Sequence, residues 1–588
     1  MNYLDRNEFN YAPSQEVVEA LKNFDINKLC FYTRIYDEGK KSILSVYLSE
    51  SYGIDEPQVL LGYGGEDILK QAVHYFPTQE DGNKTMLIPK FSWWYYKSIA
   101  DEVDGHTLQY PLYEDGNTFK YDFAAMKEMV QRENPKVLLI ASPNNPTGNG
   151  LTPAELDALL AELPVTTIVL VDEAYASFVS TDTDYIKMLV DKYPNPIISR
   201  TLSKFYGLPG LRMGFGFMSK ELANFGKYSN KYLGYNRISE DIAIAALKSD
   251  AHYRNIARLM NESRACFEAE IGTLPGFKVY ESVANFVLIK YPIVLKERLQ
   301  KAFADEDYKV KFMNEPDINT HLRITLGRPE QNRIVIDTIK KNCITMKAVI
   351  LAAGIASRLR PLTDTTPKCL LKVGERCLLQ RAFDALLQNG FREFVIVTGY
   401  RQQQIVNFLE AHYPALEVTF IYNEKYASTN NIYSLWLTRP YVDKEDILLL
   451  DSDILFDPQI VAKLLGYGQA DALALNHHTL GEEEIKVIAD NDGKVLEISK
   501  TCSISRAIGE SIGIEKMSAA YTEALFRELE VMITKEGLDN IFYERAFERL
   551  IPQGHSFYAL DTTEYFSVEL DTVNDFEQAQ RLIPSQLY

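Results

Sequence analysis

The 588-residue sequence predicts an α/β protein built from two consecutive units. Short β-branched runs alternate with amphipathic helical stretches, the pattern of a parallel sheet flanked by helices. At Met346 that pattern begins again, because MKAVILAAG reads as a buried strand entering a small-residue turn, the kind of sequence that normally starts a chain. Length agrees: at roughly 150 residues per domain, 588 residues suggest about four lobes rather than one compact body.

In the first unit, residues 86–89, 137–141, 167–171 and 196–199 read as strands. One intervening helix carries its own start signal, since Thr152, Pro153 and Glu155 supply a cap, a first-turn proline and a reciprocal capping carboxylate ahead of Leu156, Leu159 and Leu160. In the second unit, strands are expected at 394–398, 418–422 and 447–450, and a helix over 378–389 stopped by Gly390. The helical stretch 331–341 runs almost directly into the strand after Met346, a linker short enough to hold two lobes close. The units expected are therefore 1–345 and 346–588, with no fixed-period repeat and no low-complexity tract.

Composition narrows the function classes. Basic residues number 62 and acidic residues 81, a formal net charge of −19, which opposes attraction to nucleic acid and to anionic membranes. The six cysteines are scattered without a CxxC pair or a zinc-type cluster, which fits a reducing cytoplasm. Apolar runs fall far short of a membrane span, and the N-terminus lacks an export signal. Small-molecule substrates are the expected partners.

Four segments of the first unit follow the ends of the expected strands, where ligand sites of such sheets lie. GYGGED (62–67) opens a helix whose first N–H groups can face a phosphate; PNNPTG (143–148), VDEAY (171–175) and TLSKFYGLPGLR (201–212) each follow an apolar run. Taken singly, each also reads as a turn, a cap or a solvated loop. Taken together they resemble the fold-type I pyridoxal phosphate enzymes of the class I/II aminotransferases, within the branch of histidinol-phosphate aminotransferase and threonine-phosphate decarboxylase, over roughly residues 5–340.

That resemblance implies the fold with its large and small domains, the cofactor pyridoxal 5′-phosphate, and a set of roles. Lys204 would carry the cofactor in a Schiff base and then move the proton. Asp172 would face the pyridine nitrogen, Asn145 and Tyr175 the ring oxygen, and Phe91 the ring face. Gly65, Glu66, Thr201, Ser203 and Arg212 would hold the phosphate, although relatives often have Ser-Asp where this chain has Gly65-Glu66. Arg323 matches the arginine for the substrate carboxylate. A homodimer is implied, with Tyr32 or Tyr36 reaching the neighbouring site.

The second unit pairs a small-residue turn with cations. Leu351, Ala352, Ala353 and Gly354 let a backbone approach a nucleotide, and Arg358 and Lys368 can face its phosphates. LLLDSDILF (448–456) and VELDT (568–572) end apolar runs in aspartates suited to Mg²⁺. The unit resembles the sugar-phosphate and choline-phosphate nucleotidyltransferases, a Rossmann-like α/β fold, over roughly residues 346–585, and YNEKYASTNNIYSLWL (422–437) resembles the choline-phosphate cytidylyltransferases. By that resemblance Asp453 and Asp571 hold Mg²⁺, Lys368 and Arg358 neutralise CTP, and Gly399 and Tyr400 join the base pocket. Ala356 replaces a glycine of the family loop. The amine end of an acceptor could meet Tyr426, Tyr433 and Trp436 by cation–π contact, or Glu424, Asn430 and Asn431 by hydrogen bonds; the aromatic residues could equally be core.

The expected chemistry is a first site acting on a phosphorylated or phosphono amino compound, and a second moving CMP from CTP onto a phospho-amine with release of pyrophosphate. The first site could be a transaminase or a decarboxylase of an amino-acid phosphate such as phosphoserine. The sequence leaves both open, because the bond broken is the one held perpendicular to the cofactor ring. A lobe retained as a binding module is a third reading.

Overall fold

The computed structural model describes every residue except 80, 81, 181, 232, 586 and 588. Its contacts divide the chain into a unit of residues 1–273, 278–291 and 299–341 and a second of 274–277, 292–298 and 342–588.

The first unit is built on a seven-stranded sheet in the order Val59–Gly62, Gly214–Met218, Pro196–Thr201, Ile168–Asp172, Val137–Ala141, Thr85–Pro89 and His106–Tyr110. All neighbours are parallel except around Gly214–Met218, which runs antiparallel between its two partners. Both faces are buried. Leu138, Ile140, Val169 and Val171 enter one hydrophobic cluster, and Val137, Leu139, Ile168 and Leu170 enter another. Successive strand residues point to opposite faces, so a sheet covered on both sides needs unbroken apolar runs, as these strands have. The helix Pro153–Glu162 starts on the expected reciprocal cap, with Glu155 N–H donating to Thr152 Oγ1 at 3.2 Å and Thr152 N–H donating to Glu155 Oε2 at 2.8 Å.

A second, five-stranded sheet in the same unit has the order Asn2–Leu4, Tyr308–Phe312, His321–Thr325, Phe286–Lys290 and Lys278–Tyr280. The N-terminal strand pairs parallel to Tyr308–Phe312, which delivers residues 5–7 to the same place as Arg323.

The second unit has a nine-stranded sheet. Its main path is Val418–Tyr422, Phe394–Thr398, Lys347–Ala352, Ile447–Asp451, Gly509–Met517, Ala472–Asn476 and Tyr558–Asp561, the first four mutually parallel. Val349 and Leu449 enter one core, and Ile350 and Leu450 the opposite one. The helix Leu378–Gln388 is followed by Gly390 at φ +88°, a conformation a Cβ would oppose. Among the described residues no helix is long and apolar enough to cross a membrane.

Candidate functional site

In the first unit the predicted residues converge at the carboxyl ends of the parallel strands. Asp172 is the last residue of its strand and is 8% exposed. Its Oδ2 accepts from the Tyr96 hydroxyl at 2.6 Å and its Oδ1 from the Ala174 N–H at 3.0 Å. Burial pushes this carboxyl up, and those two hydrogen bonds oppose the rise.

Lys204 follows the next strand. Its ammonium donates to the Arg6 carbonyl at 3.0 Å and the Asn7 carbonyl at 3.2 Å, and lies 5.9 Å from the centre of the Tyr175 ring. Desolvation by the cleft walls, then the Arg323 guanidinium, bring it down to about 8. Tyr175 accepts from Asn7 Nδ2 at 2.8 Å, and burial raises its phenol to about 12. Arg323, 8% exposed, donates to Asn145 Oδ1 and, at 2.5 Å, to the Asp5 carbonyl, while its Nε has no hydrogen-bond partner among the described residues. Phe91 is buried, and its backbone carbonyl accepts from Asn144 Nδ2 at 2.6 Å.

At the helix Gly65–Tyr75 the geometry fits a phosphate cradle. Gly64 has φ +88°, and a Cβ there would stand 2.7 Å from Arg212 Nη2; a Cβ on Gly65 would stand 3.3 Å from Thr201 Cβ. Thr201 Oγ1 donates to Ser203 Oγ at 3.0 Å, and Arg212 pairs with Glu66 at 3.0 Å. The hydroxyls, the guanidinium and the first N–H groups of the helix form a donor set suited to an anion. Of the two candidate tyrosines, Tyr32 is 69% exposed and Tyr36 donates to the Lys231 carbonyl.

Sequence reasoning missed two members of this site. Tyr96 stands in an aromatic run, WWYY, that gives no hint which ring turns inward, and Asn7 sits at φ +55° in a segment without a motif.

In the second unit Lys368, 11% exposed, donates to Asp453 Oδ2 at 2.7 Å and to Asp571 Oδ1 at 2.8 Å. Arg358 pairs with the other Asp571 oxygen at 2.5 Å. Oxygens of Asp453, Glu569 and Asp571 lie within 4.8 Å of one another, and Asp453 Oδ1 is buried without a hydrogen-bond partner among the described residues. Three oxygen donors at that separation fit a hard divalent cation. Burial alone would raise Asp571, but Lys368 holds it below the usual carboxylate range; Glu569 reaches solvent, yet the cleft walls and its two acidic neighbours push it up to about 8. Glu569 was also missed: it ends the strand Ser567–Glu569, two residues before Asp571.

The proposed nucleotide wall divides into core and rim. Leu351 and Ala352 side chains enter the two cores on opposite sheet faces, so only their backbone faces a ligand. Ala353 accepts from the Tyr400 N–H at 3.1 Å, the Tyr400 hydroxyl donates to the Thr363 carbonyl at 2.9 Å, and a Cβ on Gly399 would meet Tyr426 Cβ at 2.5 Å. Gly354 is exposed and open. Ala356 takes φ +52°, a left-handed conformation that accounts for a glycine in the family loop. Of the candidates for the amine end, Glu424 is exposed; Asn430 Oδ1 caps the helix Asn431–Leu437; Asn431 Oδ1 accepts from the Tyr543 N–H at 3.0 Å. Trp436 Nε1 donates to Glu530 at 2.9 Å, and the Tyr433 ring carries Lys425 at 5.3 Å.

A family model described as aminotransferase class I and II matches residues 2–339, and one described as MobA-like NTP transferase domain matches residues 348–547. Histidinol-phosphate aminotransferase of Bacillus subtilis strain 168 is 31% identical over 57% of this chain and 89% of its own; that of Bacillus pumilus is 32% identical over 52% and 81%. Among solved structures, histidinol-phosphate aminotransferase of Sinorhizobium meliloti in complex with pyridoxal-5′-phosphate superposes with a TM-score of 0.51 at 20% identity, covering 58% of this chain and 90% of that one, a likeness of fold.

Proposed function

For a chain that belongs to the class I and II aminotransferase family and continues into an NTP transferase domain, we propose a bifunctional enzyme. The first unit exchanges the amino group of a phosphorylated or phosphono amino compound; the second transfers CMP from CTP to the resulting phospho-amine. The observation that carries the first half is an amine at Lys204 with a depressed pKa of about 8, beside the buried Asp172 and a glycine cradle closed by Arg212. The second half is carried by one ammonium, Lys368, bridging Asp453 and Asp571.

When bound, pyridoxal phosphate supplies the electron sink that amino-acid side chains lack. Gly65, Thr201, Ser203 and Arg212 would hold its phosphate, Phe91 would cover a ring face, Asn145 and Tyr175 would bond the ring oxygen, and Asp172 would hold a proton on the ring nitrogen. Tyr96 and the Ala174 N–H favour the ionised form of Asp172 against the burial that pushes its carboxyl up. Lys204, unprotonated above about pH 8, is suited to take and return a proton at the substrate carbon. Arg323, enclosed and short of one partner, would bind an anionic substrate group.

In the second unit Asp453, Glu569 and Asp571 would hold Mg²⁺, which neutralises phosphate charge when present. Lys368 and Arg358 would accept the triphosphate, and the turn from Ala353 to Gly354, with Gly399 and Tyr400, would line the base. A phosphomonoester or phosphonate oxygen is already anionic near neutral pH, so its attack on the α-phosphorus of CTP needs positioning and charge neutralisation rather than a protein nucleophile. Histidinol-phosphate aminotransferases, the curated relatives, are named for a phosphorylated substrate, which supports a phosphorylated or phosphono compound here. A homodimer in the cytoplasm is the proposed setting, in keeping with cysteines that form no disulfide among the described residues.

The test is incubation of the purified protein with phosphoserine and, separately, with amino donors and phospho- or phosphono-aldehydes. Clean amino-group exchange without carbon dioxide is the expected result. Stoichiometric release of carbon dioxide would replace amino transfer by decarboxylation at the same lysine.

A further inference from the structure

The second unit holds another group of carboxylates, beside the metal-type triad, that the chemistry above leaves unused. Asp451 ends the strand Ile447–Asp451, and Glu515 lies across from Leu449 in the antiparallel register, so both side chains share one face of the sheet. A Cβ on Gly513, between them, would come 2.8 Å from Asp451 Oδ2. The start of the helix Glu544–Leu550 covers that face. Tyr543 donates to Asp451 Oδ2 at 2.9 Å, and Asn431 anchors the Tyr543 N–H at 3.0 Å. Glu515 is 1% exposed and Glu544 6%. Glu515 Oε1 accepts from Ser511 at 3.3 Å, whereas among the described residues Glu515 Oε2 and Glu544 Oε2 are buried without a hydrogen-bond partner.

Such a group is short of positive charge and of N–H donors. Buried carboxylates normally carry a counter-ion or a full set of hydrogen bonds, because an unpaired acceptor away from water costs about 1–3 kcal/mol. The neighbouring cations are committed elsewhere: Lys368 to Asp453 and Asp571, and Lys500 to Glu483 at 3.5 Å. The aromatic alternative is occupied, since the Tyr433 ring carries Lys425 and Trp436 is bonded to Glu530.

We propose that Asp451, Glu515 and Glu544, with Tyr543, form the pocket for the primary ammonium of the acceptor, and thereby select aminoalkyl phosphates or phosphonates over trimethylammonium analogues. The proposal rests on reading the second unit as a nucleotidyltransferase. A primary ammonium brings three donors, enough to meet the two orphaned oxygens and Asp451. A trimethylammonium group brings none and would leave those oxygens unpaired.

Calorimetric titration of the full-length protein in Mg²⁺ with phosphoethanolamine, phosphocholine and ethyl phosphate tests this directly. Phosphoethanolamine is expected to bind on the order of 10²-fold more tightly than phosphocholine. Glu515→Gln and Glu544→Gln, which keep shape and replace a carboxyl oxygen by an amide N–H donor, should each erase most of that preference and leave ethyl phosphate within about twofold. Equal affinity for the two amines in the unaltered protein, no binding of either, or a preference retained in both variants would overturn the proposal. Pyrophosphate release from CTP is read separately: its absence alongside an intact ammonium preference would remove the nucleotidyl-transfer reading and leave the ammonium pocket standing.

Discussion

Removing the Tyr96 hydroxyl isolates what keeps Asp172 charged. In Tyr96→Phe the ring still fills its buried place, and Asp172 loses its shorter hydrogen bond, at 2.6 Å, keeping only the 3.0 Å bond from Ala174. A hydrogen bond to a charged group contributes about 1.5–3 kcal/mol net, so losing it pushes the Asp172 carboxyl further up than burial already does. Asp172 is already raised in the folded protein, so its ionised form weighs against folding above the unfolded value of about 3.9. The deficit of the variant should therefore be present at neutral pH and fade as pH falls through the folded pKa, where Asp172 is protonated in either protein. Thermal unfolding of the variant at pH 8 and pH 5 reads this, as a melting temperature lower by a few degrees at the higher pH and a smaller gap at the lower. With less negative charge opposite the ring nitrogen, turnover at the first site should drop about tenfold at pH 7 with little change in substrate KM. Unchanged turnover and a pH-independent melting difference would refute the assignment of Tyr96 as a positioning residue.

Three further outcomes follow from the same geometry. Capture of pyridoxal phosphate by apoprotein, followed by absorbance, should accelerate with pH around a midpoint of about 8, because the unprotonated Lys204 amine is the nucleophile; a midpoint near the ordinary lysine value would contradict its desolvation. Gly64→Ala forces a side chain onto a φ of +88° and to within 2.7 Å of Arg212, so about 1–3 kcal/mol of stability and most cofactor retention should be lost, measured by melting and gel filtration. Lys368→Met leaves Asp453 and Asp571 without their shared cation; the melting temperature without Mg²⁺ should fall, added Mg²⁺ should restore much of it, and pyrophosphate release should stay low.

Much of this was legible because backbone demands leave marks in sequence. Runs such as Val137–Ala141 and Phe394–Thr398 are apolar throughout because both sheet faces are covered, and the cap at Thr152 announces its helix. Lys204, Asp172 and Arg212 stand in strand-end segments whose residue types are constrained together. The small five-stranded sheet was less readable, since strands such as Lys278–Tyr280 are short and mixed in polarity. Tyr96, Asn7 and the Glu515 and Glu544 pair escaped notice for a different reason: each acquires its role through a partner far away in sequence, as Asn7 does with Tyr175, 168 positions on. The acidic face in particular depends on antiparallel register between strands more than 60 residues apart, which no local pattern encodes.

On the proposed function, one chain would make an amine at Lys204 and activate it beside Asp453, Glu569 and Asp571. A single incubation with an amino donor, a phospho- or phosphono-aldehyde, CTP and Mg²⁺, analysed by mass spectrometry, tests it most directly. The expected product is a CMP-linked amine, lost in Lys204→Ala and regained when the finished amine is added. No CMP-linked product even with the amine supplied, or undiminished product in Lys204→Ala without it, would contradict the account.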